Sequence, residues 1–409
     1  MRAIFISTLL ILGAISNAAT IKVGPDLSIT SIHKAIEIAK NGDVIEVYGG
    51  IYKEGNILLN KSVHLKGIDR PVLDGELEYS ILTVSADSVT ISGFKIINVG
   101  KSYTEDKCGI RMKRCKYFLV EDNILENNFF GIYLEKCHYG AVRNNTITGQ
   151  AVYEMNSGNA IHLWHCKKIE VTNNHVLKHR DGIYFEFVDS SSVVNNHSEG
   201  NIRYGLHFMF SNDDAYLKNT FRDNGAGVAV MFSSRIDMRK NNFENNWGPA
   251  SYGLLLKEIN DADIVNNVFK KNTIGIYVEG SNRINYNGND IISNGWAFKI
   301  AGGCSDNVIS GNNFIANTFE VSMSSTMGSN ILDGNYWSSY SGYDLDKDGL
   351  GDVPYRPIKL FSYLVDRTPE TIILLRSLFI DLLDLSEKVT PAFTPEGLKD
   401  MSPVMRRIL

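Results

Sequence analysis

Proline is scarce in this sequence, and it is almost absent from the middle of the chain. Nine of the 409 residues are proline, and between Pro71 and Pro354 the only one is Pro249. Because proline cannot donate a backbone hydrogen bond to a neighbouring strand, about 280 residues almost free of it can form an uninterrupted ladder. The middle of the chain is therefore predicted to be one elongated body rather than several loop-rich domains.

Basic charge is also in short supply. The chain has 41 Lys and Arg against 46 Asp and Glu, a formal charge of −5, and no run of basic residues. Nucleic-acid binding needs a basic face for the phosphates, so this class of function is excluded. With 44% apolar and 21% charged residues the chain can bury a core, which excludes a disordered protein.

Long apolar runs are confined to the N-terminus. Arg2 precedes an apolar run over residues 4–15, and Ser16-Asn17-Ala18 then places small residues at the positions that a signal peptidase reads. Residues 1–18 are predicted to be a signal peptide, with the mature chain beginning at Ala19 in the periplasm. The run is shorter than the ~20 residues of a membrane span. The protein is therefore expected to reach a membrane only through a partner.

Glycine and asparagine are abundant and periodic. Of the 39 Asn, 34 lie between Asn123 and Asn335. Segments of the form Gly-apolar-x-apolar-x begin at Gly109, Gly131, Ala160, Gly182, Gly205, Gly227, Gly253, Gly275 and Gly295. A second register is formed by Asn123, Asn145, Asn174, Asn196, Asn219, Asn242, Asn267, Asn289, Asn313 and Asn335.

A period of about 22 residues, with short alternating strands and no helix between them, predicts an all-β fold. The fold is a right-handed parallel β-helix over residues 19–340, with about three strands in each coil and coils stacked at the ~4.8 Å strand spacing. The repeated Asn has a physical reason, because a turn amide can hydrogen-bond its equivalents in the coils above and below.

Alternation within each repeat predicts which side chains point out of the solenoid. The residues one and three places after the Gly are apolar in every repeat and are expected inside, ending with Trp296 and Phe298. Two places after the Gly come the outward residues Arg111, Tyr133, His162, Tyr184, His207, Ala229, Leu255, Tyr277 and Ala297. Four places after it come Lys113, Glu135, Trp164, Glu186, Met209, Met231, Lys257, Glu279 and Lys299.

These outward columns place histidine beside methionine. Met209 and Met231 should be neighbours in adjacent coils, and His207 lies two residues before Met209 on the same strand. Thioether and imidazole ligands suit Cu(I). The pattern predicts a partly open Cu(I) site formed by His207, Met209 and Met231, with His162, His165 and Met155 as possible further ligands. The alternative is a hydrophobic docking surface with incidental histidines.

Three of the five cysteines also fall in one column. Cys115, Cys137 and Cys166 lie six places after the Gly, where later repeats carry Ser. Small residues at a tight turn explain the column, and disulfide or thiolate–metal chemistry is the alternative. Because five is an odd number, at least one thiol is expected to be unpaired.

An acidic loop follows the last repeat, within residues 341–357. It places carboxylates at positions one, three, five and nine of a loop that begins at Asp344, and a backbone carbonyl at position seven. Oxygen ligands at this spacing favour Ca²⁺. The predicted structural calcium ligands are Asp344, Asp346, Asp348, Leu350 and Asp352. A solvated acidic turn is the alternative.

Both ends of the solenoid are expected to be covered. Residues 30–40 have an amphipathic pattern that predicts an N-terminal cap helix. Within residues 358–409, residues 369–388 are predicted to form an apolar helix, followed by an extended, proline-containing tail. This helix either caps the solenoid or docks on a membrane partner through Thr371, Leu375, Leu378, Phe379, Leu382 and Leu383.

Sugar chemistry is the rival from another class, because aromatic and acidic residues also project from the outward face. Glu135 and Glu186 are the candidate acids. They should lie two coils apart, roughly 10 Å, which is at the upper end for an inverting pair of carboxylates. A polysaccharide lyase, hydrolase or epimerase is therefore the alternative function.

Nearly all of the mature chain resembles the NosD family, the periplasmic maturation proteins of nitrous oxide reductase, and the resemblance is most specific over residues 247–357. The segments that carry the resemblance are residues 246–248 (NWG), 253–261 (GLLLKEIND), 272–280 (NTIGIYVEG), 294–299 (NGWAFK), 334–338 (GNYWS) and 342–357 (GYDLDKDGLGDVPYRP). Ordinary β-helix repeats would not share the Asn-Tyr-Trp and Asp-Val-Pro-Tyr segments.

The resemblance implies a non-enzymatic accessory protein that handles copper in the periplasm. The implied partners are the ATPase and membrane subunits of an ABC transporter, of the NosF and NosY type, a copper chaperone lipoprotein of the NosL type, and nitrous oxide reductase. The implied cargo is Cu(I). A metal-free scaffold that only bridges the transporter and its client is the remaining alternative.

Overall fold

A computed structural model describes residues 18–102, 104–324, 329–389 and 397–409. The predicted signal peptide, apart from Ala18, lies outside the described residues, as do Pro391 and Pro395 of the predicted tail. The described chain winds into a right-handed parallel β-helix, so the predicted fold class is confirmed. Each coil contributes one strand to each of three long parallel sheets.

The strands of the three sheets are as follows. Sheet 1 has 14 strands: Thr20–Val23, Val44–Val47, His64–Gly67, Thr90–Ser92, Leu119–Glu121, His138–Arg143, Lys167–Thr172, Ser192–Val194, Ala215–Leu217, Ser234–Arg239, Asn260–Val265, Asn282–Asn287, Val308–Ser310 and Ile331–Asp333. Sheet 2 has 12 strands: Ile57–Leu59, Leu82–Val84, Cys108–Lys113, Phe130–Glu135, Ile161–Trp164, Asp181–Glu186, Tyr204–Met209, Ala226–Met231, Tyr252–Lys257, Ile274–Glu279, Trp296–Ile300 and Phe319–Met323. Sheet 3 has 13 strands: Ile51–Tyr52, Val72–Asp74, Lys95–Ile97, Ile124–Glu126, Thr146–Thr148, His175–Leu177, His197–Glu199, Thr220–Arg222, Asn242–Glu244, Val268–Lys270, Asp290–Ile292, Asn313–Ile315 and Tyr336–Trp337.

A buried asparagine ladder forms the turn between sheets 1 and 3. At each rung after Asn123, the side-chain carbonyl accepts bonds from the backbone N–H and the amide of the Asn one coil earlier, as Asn219 does for Asn196 at 2.8 and 3.1 Å. The rungs are Asn123, Asn145, Asn174, Asn196, Asn219, Asn241, Asn267, Asn289, Asn312 and Asn335. These hydrogen bonds confirm the predicted ladder. They form because each buried amide at the turn needs partners, and the equivalent Asn in the next coil supplies them.

Two rungs of the predicted register are wrong by one residue. Asn242 and Asn313 begin strands of sheet 3, and their predecessors Asn241 and Asn312 occupy the ladder. The last Gly-headed repeat is also displaced, because the residue that pairs with Ile276 is Phe298. Phe298 and Ile300 therefore point inward there, and Lys299 takes the outward place that was predicted for Ala297.

The other sixteen residues predicted to lie inside are all buried. Pairs such as Ile132 and Leu134, or Leu206 and Phe208, have no exposed surface and belong to one continuous core that fills the solenoid. Stacked apolar columns explain this, because each coil can bury its inward face only against its neighbours. Because the inward residues alone form the core, the outward residues can differ from coil to coil without disturbing the fold.

The cysteine column serves the turn between sheets 2 and 1. All five cysteines are buried free thiols. The thiols of Cys115 and Cys137 donate to backbone carbonyls two residues earlier, just as the hydroxyl of Ser211 does. The backbone N–H of Cys137 in turn donates to the sulfur of Cys166 at 3.4 Å. The interpretation as small turn residues is favoured over disulfide chemistry.

Both ends of the solenoid are covered. At the N-terminal end, helix α1 (Ile32–Ile38) buries Ile32, Ala35 and Ile36, which confirms the predicted cap. At the other end, the carboxylate of Asp400 terminates the asparagine ladder by accepting bonds from both nitrogens of Asn335 and from the Trp337 indole. Residues 397–409 therefore seal the last coil.

The predicted single helix over residues 369–388 is wrong in its extent. The structure has helix α2 (Leu360–Arg367), a 3-10 helix (Pro369–Leu374) and helix α3 (Leu378–Val389). The chain breaks between the last two because Arg376 takes a positive φ of 69°, a conformation that cannot continue a right-handed helix.

Candidate metal centre

The strands of sheet 2 bring the three central copper candidates together. Met209 and Met231 are directly paired across adjacent strands, which confirms their predicted adjacency. His207 lies two residues before Met209, so its side chain leaves the same outer face of the sheet. His207 is buried and both methionines are half-buried. One imidazole and two thioethers therefore share one partly covered patch.

An aromatic column continues from this patch along the outer face. The ring centroids are 4.4 Å apart for Tyr133 and His162, 4.7 Å for His162 and Tyr184, and 5.0 Å for Tyr184 and His207. His162 is 9% exposed and His207 only 6%. His162 thus lies two coils from His207, as predicted, with Tyr184 between them. The two histidines line one buried column.

The ring nitrogens of His207 are unusual. Both are buried, and neither has a hydrogen-bond partner among the described residues. In His162 only Nδ1 is paired, to the Asn159 amide at 3.2 Å. Burial lowers the pKa of His207 to about 4 and that of His162 to about 3. Both rings are therefore neutral at pH 7, and a lone pair of His207 is available to a metal ion.

A buried ion pair lies beside His207. The Asp181 carboxylate has no exposed surface and accepts a hydrogen bond from Arg203 Nε at 2.8 Å. Its Oδ2 lies 4.0 Å from His207 Nδ1 and 3.8 Å from Arg180 Nε. The ring of Tyr204 also contacts the imidazole, with ring centroids 4.8 Å apart. His207 therefore lies beside a carboxylate that two guanidinium groups contact.

The sequence analysis missed Asp181 and Tyr204 because the strand departs from strict alternation at Gly. A side chain at Gly182 would clash with the hydroxyl of Ser198, a buried residue of sheet 3, so Gly182 faces inward, and Ile183 does too. With two consecutive residues inward, the residue before the Gly turns outward. The Asp-Gly pair at the start of the strand was the available signal.

The other two copper candidates, Met155 and His165, lie outside this patch. Met155 lies in a short 3-10 helix, Glu154–Asn156, and is 90% exposed. His165 occupies the turn after sheet 2, where its ring stacks on Phe187 at 4.6 Å. The stack continues through Phe210 and Phe232 at spacings of 5.1 and 5.2 Å. His165 therefore belongs to an exposed aromatic stack at the rim of the patch.

The carboxylates considered for sugar chemistry are separated as predicted. Glu135 pairs with Trp164, and Trp164 pairs with Glu186 on the next strand. One full strand, bearing a large indole, therefore lies between the two acids. The geometry brings no acid pair together at these positions.

The acidic loop brings three of its carboxylates together. Ligand oxygens of Asp344, Asp346 and Asp348 lie within 4.8 Å of one another. Asp344 also accepts a bond from the N–H of Gly349 at 3.0 Å, and Asp352 accepts one from Leu345 at 2.7 Å. The loop is therefore closed on itself around convergent oxygen atoms. Its remaining predicted ligand, Leu350, pairs with Val404 of the C-terminal segment.

The C-terminal helices lie on the same sheet as the histidine and methionine patch. Phe361, Val365 and Ile380 form a small core with Phe319 of sheet 2. Leu375 and Leu383 pack against this core, whereas Leu378, Phe379 and Leu382 are 72%, 58% and 56% exposed. Thr371, the sixth predicted docking residue, is half-buried. Helix α3 thus covers the solenoid with one face and presents an apolar face to solvent.

No helix in the described part of the chain combines the length and apolar character needed to cross a membrane.

Sequence comparison finds related proteins along most of the chain. Residues 143–342 match the family described as "Periplasmic copper-binding protein (NosD)", and residues 17–165 match "Right handed beta helix region". A protein of Pseudomonas aeruginosa named "Probable ABC transporter binding protein NosD" is 31% identical over 379 residues, which cover 86% of each chain. A protein of the same name from Stutzerimonas stutzeri is 35% identical over 72 residues, 18% of this chain and 16% of that one.

Comparison with solved structures finds other β-helices. A PL6 family alginate lyase, a mutant of AlyGC, superposes with a TM-score of 0.58 at 13% identity, covering 78% of this chain and 51% of that one. The periplasmic alginate epimerase AlgG gives a TM-score of 0.53 at 11% identity, covering 72% and 77%. At these identities the likeness shows the fold alone.

Proposed function

Because the chain belongs to the NosD family, we propose that it is a periplasmic accessory protein for nitrous oxide reductase maturation that handles copper. In this role it passes Cu(I) between a NosL-type chaperone, an ABC transporter of the NosF and NosY type, and the reductase. The chain's own part is binding and presentation, and no catalysis is assigned to it.

One observation carries the copper assignment. His207 is buried with two unpartnered ring nitrogens, next to two half-buried thioethers on adjacent strands. Burying a polar atom without a partner costs roughly 1–3 kcal/mol, so a site of this kind has a reason beyond packing. The thioethers are soft donors that favour Cu(I) over hard divalent ions, and neutral imidazole also binds copper.

The surroundings of the patch suit transient binding of a cargo ion. Asp181 lies 4.0 Å from the imidazole but is paired with both Arg203 and Arg180, so the charges around the imidazole do not strengthen the binding of a cation. Met209 and Met231 remain half-buried, so the sulfur atoms are within reach of a partner's ligands. A site with few ligands and an open side can hand on its ion more readily than a closed one.

The transporter contact is assigned to helix α3. Its residues Leu378, Phe379 and Leu382 form an exposed apolar patch, and such patches mark protein interfaces. The related protein of P. aeruginosa is named as an ABC transporter binding protein, which supports a transporter as the occupant. The opposite face of the helix, through Ile380 and Leu383, anchors it to the solenoid.

A Cu(I) titration of the mature protein tests the copper role. Under anaerobic conditions, with a chromophoric Cu(I) chelator as competitor, the wild type should bind about one Cu(I). The triple variant His207→Ala, Met209→Ala, Met231→Ala should lose this binding, because it removes every donor of the patch. A circular-dichroism spectrum and melt of each protein verifies the fold.

A matched control lies on the next two strands of the same outer face, beginning with Lys257, the register partner of Met231. Lys257 and Glu279 form a half-exposed ion pair at 3.4 Å, and replacing both with Ala should leave Cu(I) binding unchanged. Unchanged stoichiometry in the triple variant would falsify the site assignment. If the wild type itself binds no Cu(I), the metal-free scaffold becomes the better description.

The docking assignment is tested separately. The double variant Phe379→Glu, Leu382→Glu places charge on the exposed face of α3 and should abolish capture by the detergent-solubilised transporter. Its Cu(I) titration should stay at the wild-type level. Leu58→Glu is the control, because Leu58 is also 58% exposed but lies at the opposite end of sheet 2. Undiminished capture of the double variant contradicts the assignment.

A structural Ca²⁺ is proposed for the acidic loop. The converging carboxylates of Asp344, Asp346 and Asp348 are hard donors that fit this ion. The ion would neutralise three adjacent negative charges and tie the loop to the C-terminal segment that Leu350 contacts.

A further inference from the structure

The outer face of sheet 3 carries a group of side chains that none of the roles above uses. His175 and His197 are direct partners on adjacent strands, and their ring centroids are 4.8 Å apart. Glu199 lies two residues after His197 on the same face, with Oε2 2.6 Å from His197 Nε2. Taking one donor atom from each of the three, all three atoms lie within 4.8 Å of one another.

The backbone sets this spacing in advance. The strands His175–Leu177 and His197–Glu199 are each hydrogen-bonded to a strand on both sides, in the middle of a 13-stranded sheet. In the coils on either side, the histidine column continues as Thr146 and Thr220. The group is therefore confined to two coils, and its ring spacing does not depend on a flexible loop.

The donor set indicates the class of ion. Two imidazole nitrogens and one carboxylate oxygen are the ligands that divalent Zn²⁺ and Cu²⁺ favour, whereas the thioethers on sheet 2 favour Cu(I). The side chains of His197 and Glu199 are 33% and 27% exposed. An ion can enter from solvent, and water can complete its coordination.

Arg222 also contacts this group. Its Nη2 donates to Glu199 Oε2 at 2.9 Å, the oxygen that also faces His197. Arg222 and the His197 contact keep the Glu199 carboxylate paired, and they lower its pKa, the His197 hydrogen bond most. A guanidinium next to the carboxylate opposes a second cation there. An ion bound by this group would therefore compete with Arg222.

We propose that His175, His197 and Glu199 form a divalent transition-metal site on sheet 3, and that Arg222 weakens it by competing for Glu199. The site lies on a different sheet from the His207 patch and uses harder donors. It does not depend on the copper role proposed above.

The test is a Zn²⁺ titration of the mature protein carrying the His207→Ala, Met209→Ala, Met231→Ala changes, so that the sheet 2 patch cannot contribute. This protein should bind one Zn²⁺ through the sheet 3 group. Adding His175→Ala and His197→Ala should abolish that binding, because the change removes two of the three ligands. Arg222→Gln should instead tighten it several-fold.

His138→Ala is the control, because His138 is a half-buried histidine on sheet 1 and should leave Zn²⁺ binding unchanged. The Arg222→Gln variant separates a metal site from a simple ladder of ion pairs. In such a ladder Arg222 would have only a structural role, and its loss would not tighten Zn²⁺ binding. Unchanged Zn²⁺ affinity in the histidine variant, or weaker binding in Arg222→Gln, overturns the proposal.

Discussion

Sheets 1 and 2 belong to the same solenoid, yet their outer faces differ in kind. On sheet 1, Arg235 pairs with Asp213 and Arg283 with Asp261, through side chains that are 45–57% exposed. On sheet 2, Asp181 has no exposed surface and His207 only 6%, although both are polar. The inner faces of both sheets are apolar and the stacking is the same. The two sheets therefore differ only in their outer faces, which carry exposed ion pairs on sheet 1 and buried polar side chains on sheet 2.

This difference shows which outer face lowers the free energy of unfolding of the protein. Exposed ion pairs contribute about 0–1 kcal/mol each, so those on the outer face of sheet 1 add little to the free energy of unfolding. The buried imidazole and carboxylate on sheet 2 lose hydration, and His207 regains no hydrogen bond in return. Polar burial of this kind is typical of functional sites that trade stability for activity.

The largest expected effect comes from breaking the ion pair on sheet 2. Arg203→Ala removes the closest cation from a fully buried carboxylate, which typically costs ~3–5 kcal/mol. Because Arg180 remains 3.8 Å from Asp181, we expect a loss of about 2–3 kcal/mol in the free energy of unfolding. Urea denaturation followed by circular dichroism measures it.

The equivalent change on sheet 1 serves as its control. Arg235→Ala breaks an exposed pair and should change the free energy of unfolding by no more than about 0.5 kcal/mol. Equal losses in the two variants would mean that the two outer faces do not differ energetically.

A smaller effect of opposite sign is expected at His207. His207→Phe keeps the packing against Tyr184 and Tyr204 but removes two buried nitrogens without partners. At pH 7 the variant should be about 1–2 kcal/mol more stable than the wild type, and it should no longer bind Cu(I). Thermal and urea unfolding, together with the Cu(I) titration, measure both changes.

The advantage of this variant should grow at acidic pH. The pKa of His207 is lowered from 6.5 to about 4 in the folded protein, chiefly by burial. Below pH 6.5 the unfolded wild type takes up a proton that the folded protein takes up only near pH 4. The wild type therefore loses stability over this window at up to about 1.4 kcal/mol per pH unit relative to the variant. A His207→Phe variant whose stability advantage over the wild type does not grow between pH 7 and pH 5 would contradict this expectation.

Much of the fold could be predicted because the solenoid repeats one local rule. The Gly and Asn columns indicate the coils, their spacing and which side chains lie outside. Errors occur where the rule is locally ambiguous. In the doublets Asn241-Asn242 and Asn312-Asn313 the pattern cannot say which Asn enters the ladder, and the structure places the first of each there.

The site could be predicted only in part, for a different reason. His207, Met209 and Met231 follow from column spacing alone. Asp181 does not, because the local kink at Gly182 reverses its direction. The contact of Asp400 with the end of the Asn ladder joins residues 65 apart in sequence, and no periodic pattern reports such a contact.

The C-terminal segment is attached to the solenoid at two points. This fixes the distance along the solenoid axis between helix α3 and the His207 patch. Asp366, before α3 in the chain, contacts Lys299 and Ser322, and Asp400, after α3, is hydrogen-bonded to the last coil. Helix α3 is therefore attached to the solenoid on both sides in sequence. The strand that carries Ser322, Phe319–Met323, is four strands from the strand of Met231 in sheet 2. At ~4.8 Å per strand, that is roughly 19 Å along the axis. These coils would hold a partner docked on α3 at one set distance from an ion bound at the proposed Cu(I) site.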